Sequence, residues 1–123
     1  MTERAETGPR DSAPSWVLLT LIAPVRLEEP LADLLLEAPE LVGGFTSSSA
    51  SGHGAGVRFE AASERVRGRG RRVRFDIAID RTAAEALLDR MQAEFSETHL
   101  YYWICPMLEC GILGRRARGG AQS

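Results

Sequence analysis

Six arginines within ten positions form the part of this sequence with the clearest capacity for chemistry. They are Arg65, Arg67, Arg69, Arg71, Arg72 and Arg74. Each guanidinium group presents a planar fork of N–H donors that matches the oxygens of a phosphate or carboxylate. Gly68 and Gly70 lie between them, and a glycine lets a ligand approach the backbone closely. The cluster therefore favours an effector or anion site, with a nucleotide phosphate at a subunit junction as a candidate ligand.

Three other interpretations of the arginine cluster stay open at the level of sequence. It can dock an acidic partner, contact nucleic acid, or form a solvated hairpin edge whose charges prevent edge-to-edge pairing. We do not expect nucleic acid, because the whole chain has a net charge of -2 and the cluster carries no aromatic residue for base stacking. Charge is nevertheless segregated: residues 58–74 hold seven Arg against two acids, and residues 75–114 hold two Arg against seven acids.

A stretch rich in Gly and Ser, residues 47–56, precedes the arginines and superficially resembles a phosphate-binding loop. It lacks the Gly-Lys-Ser/Thr ending of a nucleoside-triphosphatase loop, and no helix follows it at once. We expect instead a flexible loop over residues 49–70 that orders when it binds a ligand or partner. The loop residues singled out as contacts are Ser48, Gly52, His53 and Gly54.

Four residues carry soft or borderline donor atoms that suit copper(I) or zinc: His53, His99, Cys105 and Cys110. The spacing Cys-x4-Cys without a second pair is a weak zinc signature. A buried free cysteine is most often a small hydrophobe, which is the simpler interpretation of Cys105. Binding of copper or zinc therefore remains an alternative to the anion site. No Ser/His/Asp or Cys/His arrangement is apparent, so we expect no enzyme activity.

The order of elements that must position these residues is β-α-β-β-α-β. We predict strands over residues 16–23, 45–48, 72–80 and 99–107. Residues 27–41 have helical spacing and predict a first helix, which Pro39 ends. A second helix begins with a capping box of Thr82 and Glu85. Two βαβ units give an α+β, ferredoxin-like βαββαβ sandwich, a four-stranded antiparallel sheet with both helices on one face. The folded domain spans residues 16–114, between a disordered arm, 1–15, and a disordered tail, 115–123.

The face of the sheet without helices should also be apolar. We predict that one face carries Leu18, Ile22, Tyr102 and Ile104, and the other Val17, Leu19, Leu21 and Trp103. A monomer rarely leaves so large an apolar patch exposed, so we expect a closed oligomer to cover the bare face. The alternative is that the N-terminal arm covers it. The longest apolar run, Trp16–Pro24, is too short to span a membrane and lacks a signal cleavage site, which favours a cytoplasmic protein.

Six segments of the sequence resemble a known family. They are Leu18-Leu-Thr-Leu-Ile-Ala-Pro24, Leu27-Glu-Glu29, Gly44-Phe-Thr-Ser-Ser48, Gly52-His-Gly54, Arg71-Arg-Val-Arg-Phe75 and Tyr102-Trp-Ile-Cys-Pro106. Together they resemble a bacterial PII-like family of uncharacterised function in the superfamily of nitrogen regulatory protein PII and CutA. Its members tend to be encoded beside heavy-metal efflux systems. The resemblance covers residues 17–113.

This resemblance implies a PII-like homotrimer with a signalling or regulatory role in metal homeostasis. In PII proteins nucleotides bind between subunits near the base of the loop that joins the second and third strands, and that loop reaches a membrane partner. The resemblance therefore implies a small effector, either an adenine nucleotide or a copper or zinc ion. It also implies a heavy-metal efflux transporter as the partner.

Overall fold

The computed structural model of the chain describes residues 15–53, 69–96 and 98–117. The elements along the chain are strand β1 (Trp16–Pro24), helix α1 (Glu28–Leu36), strand β2 (Thr46–His53), strand β3 (Arg69–Asp80), helix α2 (Arg81–Glu94) and strand β4 (Tyr101–Pro106). Single 3-10 turns precede α1, at Val25–Leu27, and follow β4, at Leu113–Arg115. In the described ranges, neither helix has the length and apolar character needed to cross a membrane.

The four strands form one sheet in the order β2-β3-β1-β4, and every neighbouring pair is antiparallel. Leu19, at the middle of β1, lies opposite Ile77 of β3 and Ile104 of β4. Both helices contribute to a single apolar cluster on one face of this sheet. The α+β, ferredoxin-like βαββαβ fold is therefore confirmed.

The core forms because alternate residues of β1 and β3 meet the apolar stripes of the two helices. Its members are Val17, Leu19, Leu21 and Ala23 of β1; Val73, Phe75, Ile77 and Ile79 of β3; Leu31, Leu34 and Leu35 of α1; and Ala84, Leu87 and Met91 of α2. Strand side chains alternate with a period of two and helix side chains with a period of 3.6, so each element presents one apolar face. The predicted placement of both helices on one face of the sheet is confirmed.

The β2–β3 pairing is longer than the sequence predicted. The expected strand ended at Ser48 and its partner began at Arg72, but the structure pairs the two strands as far as His53 and Arg69. The predicted flexible loop, 49–70, thus loses residues at both of its ends to the sheet. The added part of β2 is largely exposed and rich in Ser and Gly, so it shows no apolar alternation. Hydrogen bonds to the backbone of β3 hold it, and these leave no trace in hydropathy.

Helix α1 ends at Leu36, earlier than the predicted end near Pro39. The N–H group of Glu37 still donates to the carbonyl of Asp33, at 3.0 Å. Ala38 precedes the proline, and a residue before proline is disfavoured in the helical conformation. The chain therefore leaves the helix in a turn in which the N–H groups of Leu41 and Val42 both donate to the carbonyl of Ala38, at 2.9 Å.

Helix α2 begins with Asp80 as its N-cap, where the sequence predicted a capping box of Thr82 and Glu85. The Asp80 carboxylate accepts from the N–H groups of Thr82, at 3.0 Å, and Ala83, at 3.4 Å. Glu85 instead forms an ion pair with Arg81. Asp80 is the last residue of β3 with extended backbone angles, so the helix starts directly at the end of the strand.

The cross-strand register corrects the predicted faces of β4. Tyr102 lies opposite Leu21, and Trp103 lies opposite Thr20. Residues directly opposite each other share a face, so Tyr102 and Ile104 belong to the helix side and Trp103 to the open side. The sequence prediction had the reverse, because β1 is apolar on both faces and hydropathy alone does not fix the register.

Candidate functional site at the arginine-rich ribbon

Strands β2 and β3 form a two-stranded ribbon, residues 46–53 paired with residues 69–76. Strand β1 pairs with β3 only as far as the couple Pro24 and Arg72. The last three positions of the ribbon therefore extend past the end of β1. Three predicted contacts, Gly54, Arg65 and Arg67, lie outside the described residues, and the side chain of Arg69 is also not described. The cluster arginines of β3 whose side chains are described are Arg71, Arg72 and Arg74.

Strand alternation separates the arginines that the sequence groups together. Arg72 and Arg74 lie on the open face of the sheet, opposite Ala50 and Ser48 of β2. Arg71 lies opposite Ser51, on the other face, and is exposed. Gly52 pairs with Gly70 beside them, and His53 ends the strand. Alternation along β3 thus places arginines on both faces of the ribbon.

Arg72 is buried, with 2% of its surface exposed. Its side chain folds back over Gly70, and its Nη1 donates to the carbonyl of Arg71 at 3.1 Å. A Cβ atom on Gly70 would lie 2.7 Å from Nη1 and 3.0 Å from Cζ. The position of the guanidinium group therefore depends on glycine at position 70.

Next to Arg72 on the open face, Arg74 and Asp76 form a two-pronged ion pair. Nε of Arg74 lies 2.9 Å from Oδ2 of Asp76, and Nη2 lies 3.2 Å from Oδ1. The hydroxyl of Thr20, which is fully buried, donates to the same Oδ1 at 2.8 Å. The guanidinium carbon of Arg74 also lies 5.9 Å from the ring centre of Trp103. This cluster ties β3, β1 and β4 together across the open face.

The ion pair shifts the pKa of both partners. The hydrogen bond from Arg74 lowers the pKa of Asp76, with burial opposing the shift and the Thr20 hydroxyl adding to it. The hydrogen bond to Asp76 in turn raises the pKa of Arg74. The sequence analysis missed Thr20 and Trp103 as members of this cluster. Thr20 had a signal, because it is the one polar residue in the apolar run of β1.

The lowered pKa of Asp76 predicts an acid-dependent loss of stability. A carboxyl group whose pKa is lower in the folded state stabilises the fold above its unfolded pKa, near 3.8, and loses that contribution as the pH falls through the folded value. We expect the wild type to be more stable than Asp76→Asn at pH 7 and the gap to close below about pH 4. Urea midpoints of both proteins at several pH values measure this. A gap that stays constant down to pH 2 would contradict the assignment.

The four predicted metal ligands lie apart in the chain's own fold. His53 ends edge strand β2, whereas Cys105 lies on edge strand β4, with β3 and β1 between them. His99 precedes β4 and stacks edge-on against Tyr101, and Cys110 follows the strand. Neighbouring strands are about 4.8 Å apart, so roughly 14 Å of sheet separates the two edges. Over the described residues, no three His, Cys, Asp or Glu side chains are grouped as metal ligands would be.

The ferredoxin-like fold of this chain is shared with solved PII-like and CutA proteins. CPII, a nitrogen regulatory PII-like protein from Thiomonas intermedia K12 bound to ADP, AMP and bicarbonate, is similar with a TM-score of 0.59 and 20% identity over 79% of this chain and 96% of its own. CutA from Synechococcus elongatus, complexed with Bis-Tris, is similar with a TM-score of 0.62 and 11% identity over 84% and 90% of the two chains.

The chain belongs to the family described as protein of unknown function (DUF3240), whose model matches residues 13–114. A solved DUF3240 protein from Shewanella baltica is similar with a TM-score of 0.66 and 23% identity, over 80% of this chain and 96% of its own. No curated protein matches the chain. The resemblance that the sequence motifs predicted, to a PII-like family of uncharacterised function, is confirmed.

Proposed function

We propose that this protein is a non-enzymatic PII-like regulator that binds a small anionic effector at clefts between the subunits of a homotrimer. An adenine nucleotide is the first candidate. The observation that carries the proposal is the ribbon itself, where the buried guanidinium group of Arg72 is fixed against Gly70 and the exposed Arg71 is its sequence neighbour. A cation fixed in advance binds an anion without the cost of ordering a free side chain.

A trimer is part of this proposal because the open face of the sheet leaves large apolar side chains in water. Trp16 and Trp103 are exposed on it, and Leu18 and Ile22 between them are only half-buried. The Arg74–Asp76 pair lies on the same face, so burying the face against other subunits would strengthen that pair by excluding water. A closed ring of copies covers such a face on every subunit at once.

The effector would act through residues 54–68, which join the two strands of the ribbon. Binding at the base of the ribbon alters signalling only if the effector binds one arrangement of this connection more tightly than the others. The partner we propose is a membrane transporter of the heavy-metal efflux type. That choice follows from the resemblance in the sequence motifs. Binding at the effector site requires no partner and can be measured on the purified protein.

Calorimetric titration with ADP and ATP, with native mass spectrometry to count subunits, tests the proposed effector site. We expect Arg71→Ala to weaken nucleotide binding by about 10- to 100-fold, the effect of losing one hydrogen-bonded charge contact. Arg81→Ala is the matched control, because Arg81 is an exposed arginine on α2 whose partner is Glu85. A trimer that binds no nucleotide would contradict the effector, and equal affinities of the two variants would contradict the site.

A further inference from the structure

The segment after β4, residues 107–117, is an ordered arm with an apolar surface. The side chains of Leu108 and Ile112 are exposed, and Leu113 is 84% exposed. Arg116 holds the arm closed by a two-pronged ion pair with Glu109, in which Nη2 lies 3.0 Å from Oε1. The predicted tail, 115–123, overlaps this arm at residues 115–117, and residues 118–123 lie outside the described ranges. An arm that is fixed in shape and presents large apolar side chains to water is typical of a contact surface.

A groove lies between α2 and the edge strand β4, with a volume of about 410 Å³. Its lining combines apolar side chains, among them Leu88, Met91 and Leu100, with polar ones, among them Glu85 and Asp89. Asp89 is exposed and has no ion-pair partner in the described ranges.

Charge matches the arm to this groove. Arg115 lies two residues after Leu113, beyond Gly114, is exposed, and likewise forms no ion pair with a described residue. The arm thus carries aliphatic side chains close to a cation, and the groove carries aliphatic side chains close to the anion Asp89. Opposite charges beside apolar contacts set the orientation in which two surfaces meet.

The arm and the groove of one copy lie at opposite ends of β4. The groove includes Leu100 and Tyr102, at the start of the strand, whereas the arm begins at Met107, after its end. Seven residues of extended chain span roughly 20 Å, and no arm residue is among those that line the groove of the same copy. A second copy can supply an arm to this groove, and a head-to-tail contact closes into a ring when the rotation between copies allows it.

We propose that the arm of each copy inserts Ile112 and Leu113 into the α2–β4 groove of the next copy, with Arg115 facing Asp89. This inference rests on the self-association in the proposed function, and it does not depend on nucleotide binding. It names a second contact between subunits, separate from the open face of the sheet.

Sedimentation velocity over a range of protein concentrations tests the apolar part of the contact. We expect Leu113→Asp to raise the dissociation constant of the oligomer by at least about tenfold, because the change puts a charge where an aliphatic side chain would be buried. Leu36→Asp is the matched control, since Leu36 is 68% exposed on α1, away from both surfaces. Equal dissociation constants for the two variants would overturn the proposal.

Charge reversal tests the pairing of the two surfaces. We expect Asp89→Arg and Arg115→Asp each to weaken association severalfold, and the double variant to regain most of the loss. A double variant no better than either single one contradicts the pairing. Both changes are at exposed positions, so the circular dichroism spectra of all three variants should match that of the wild type.

Three other outcomes separate this proposal from the proposed function. A wild type that is monomeric at every concentration contradicts both. A stable trimer that Leu113→Asp leaves unchanged overturns the arm contact and leaves the effector site standing. The third outcome concerns phosphatidylglycerol vesicles. If the wild type binds them and Leu113→Asp abolishes this binding without changing the oligomer mass, the arm contacts a lipid surface and the proposal is overturned.

Discussion

Replacing Phe75 by alanine is expected to destabilise the protein by about 3–5 kcal/mol, the usual cost of removing a buried aromatic ring from a core. Phe75 is fully buried in β3, between Leu21 of β1 and Ser47 of β2. Its ring centre lies 5.9 Å from that of Phe45. The free energy of unfolding of a domain is about 5–15 kcal/mol, so the loss is a large fraction of the total stability.

Urea unfolding at a fixed protein concentration measures the Phe75→Ala effect, since oligomer stability depends on concentration. Leu36→Ala is the control, because it removes a side chain that is mostly in water and is expected to change stability by no more than about 0.5 kcal/mol. A loss below about 1 kcal/mol for Phe75→Ala would mean that the core closes over the missing ring or that β3 is not the centre of the fold.

The second large effect is expected at Gly70, the residue on which Arg72 rests. An alanine there brings a Cβ atom to 2.7 Å from Nη1 of Arg72. The end of an arginine side chain usually moves aside, but this one is buried, so moving it displaces a buried cation. We expect Gly70→Ala to destabilise the protein by about 1–3 kcal/mol, the range for overpacking.

A double-mutant cycle shows whether Arg72 is the cause. In an Arg72→Ala background the close contact is gone, and Gly70→Ala should then stabilise the protein by about 0.4–1 kcal/mol through the less flexible unfolded chain. The change in the free energy of unfolding caused by Gly70→Ala thus has opposite signs in the two backgrounds. Gly43→Ala is the control, because a Cβ on Gly43 has open space around it. The same destabilisation by Gly70→Ala in both backgrounds would contradict the role given to Arg72.

If Gly70→Ala moves the guanidinium group as expected, it also connects stability to the proposed effector site. The variant should bind nucleotide less tightly than Gly43→Ala, because the fixed cation has left its position. Arg71 and Arg72 then have separable roles: Arg71 is exposed and is tested by its removal, whereas Arg72 is tested through the glycine that holds it.

The fold was predictable from the sequence because its main elements carry strong local patterns. The alternation of Val73, Phe75, Ile77 and Ile79 defines a half-buried strand, and the stripe of Leu31, Leu34 and Leu35 defines a helix face. These patterns depend only on the hydropathy of the side chains, which is a property of each residue type. The order of the elements then limits the topology to a few arrangements, of which the ferredoxin-like one was predicted and found.

The arginine cluster was also visible in the sequence, but the distribution of its members over the two faces of the ribbon was not predicted. Alternation along β3 places Arg72 and Arg74 on one face and Arg71 on the other. The burial of Arg72 over Gly70 depends on the fold around the ribbon, and no residue type predicts it.

The tertiary structure decided the register of the sheet, and with it the candidate site. Both faces of β1 are largely apolar, so hydropathy does not distinguish the two registers in which β4 can pair with β1. In the structure Thr20 lies opposite Asp76 of β3 and Trp103 of β4, and this pairing defines the register. The extent of β2 depended likewise on hydrogen bonds to β3 rather than on its Ser and Gly side chains. Sequence thus determined which apolar side chains form the core, because hydropathy is a local property. Structure determined what meets across strands, since that depends on residues far apart in the chain.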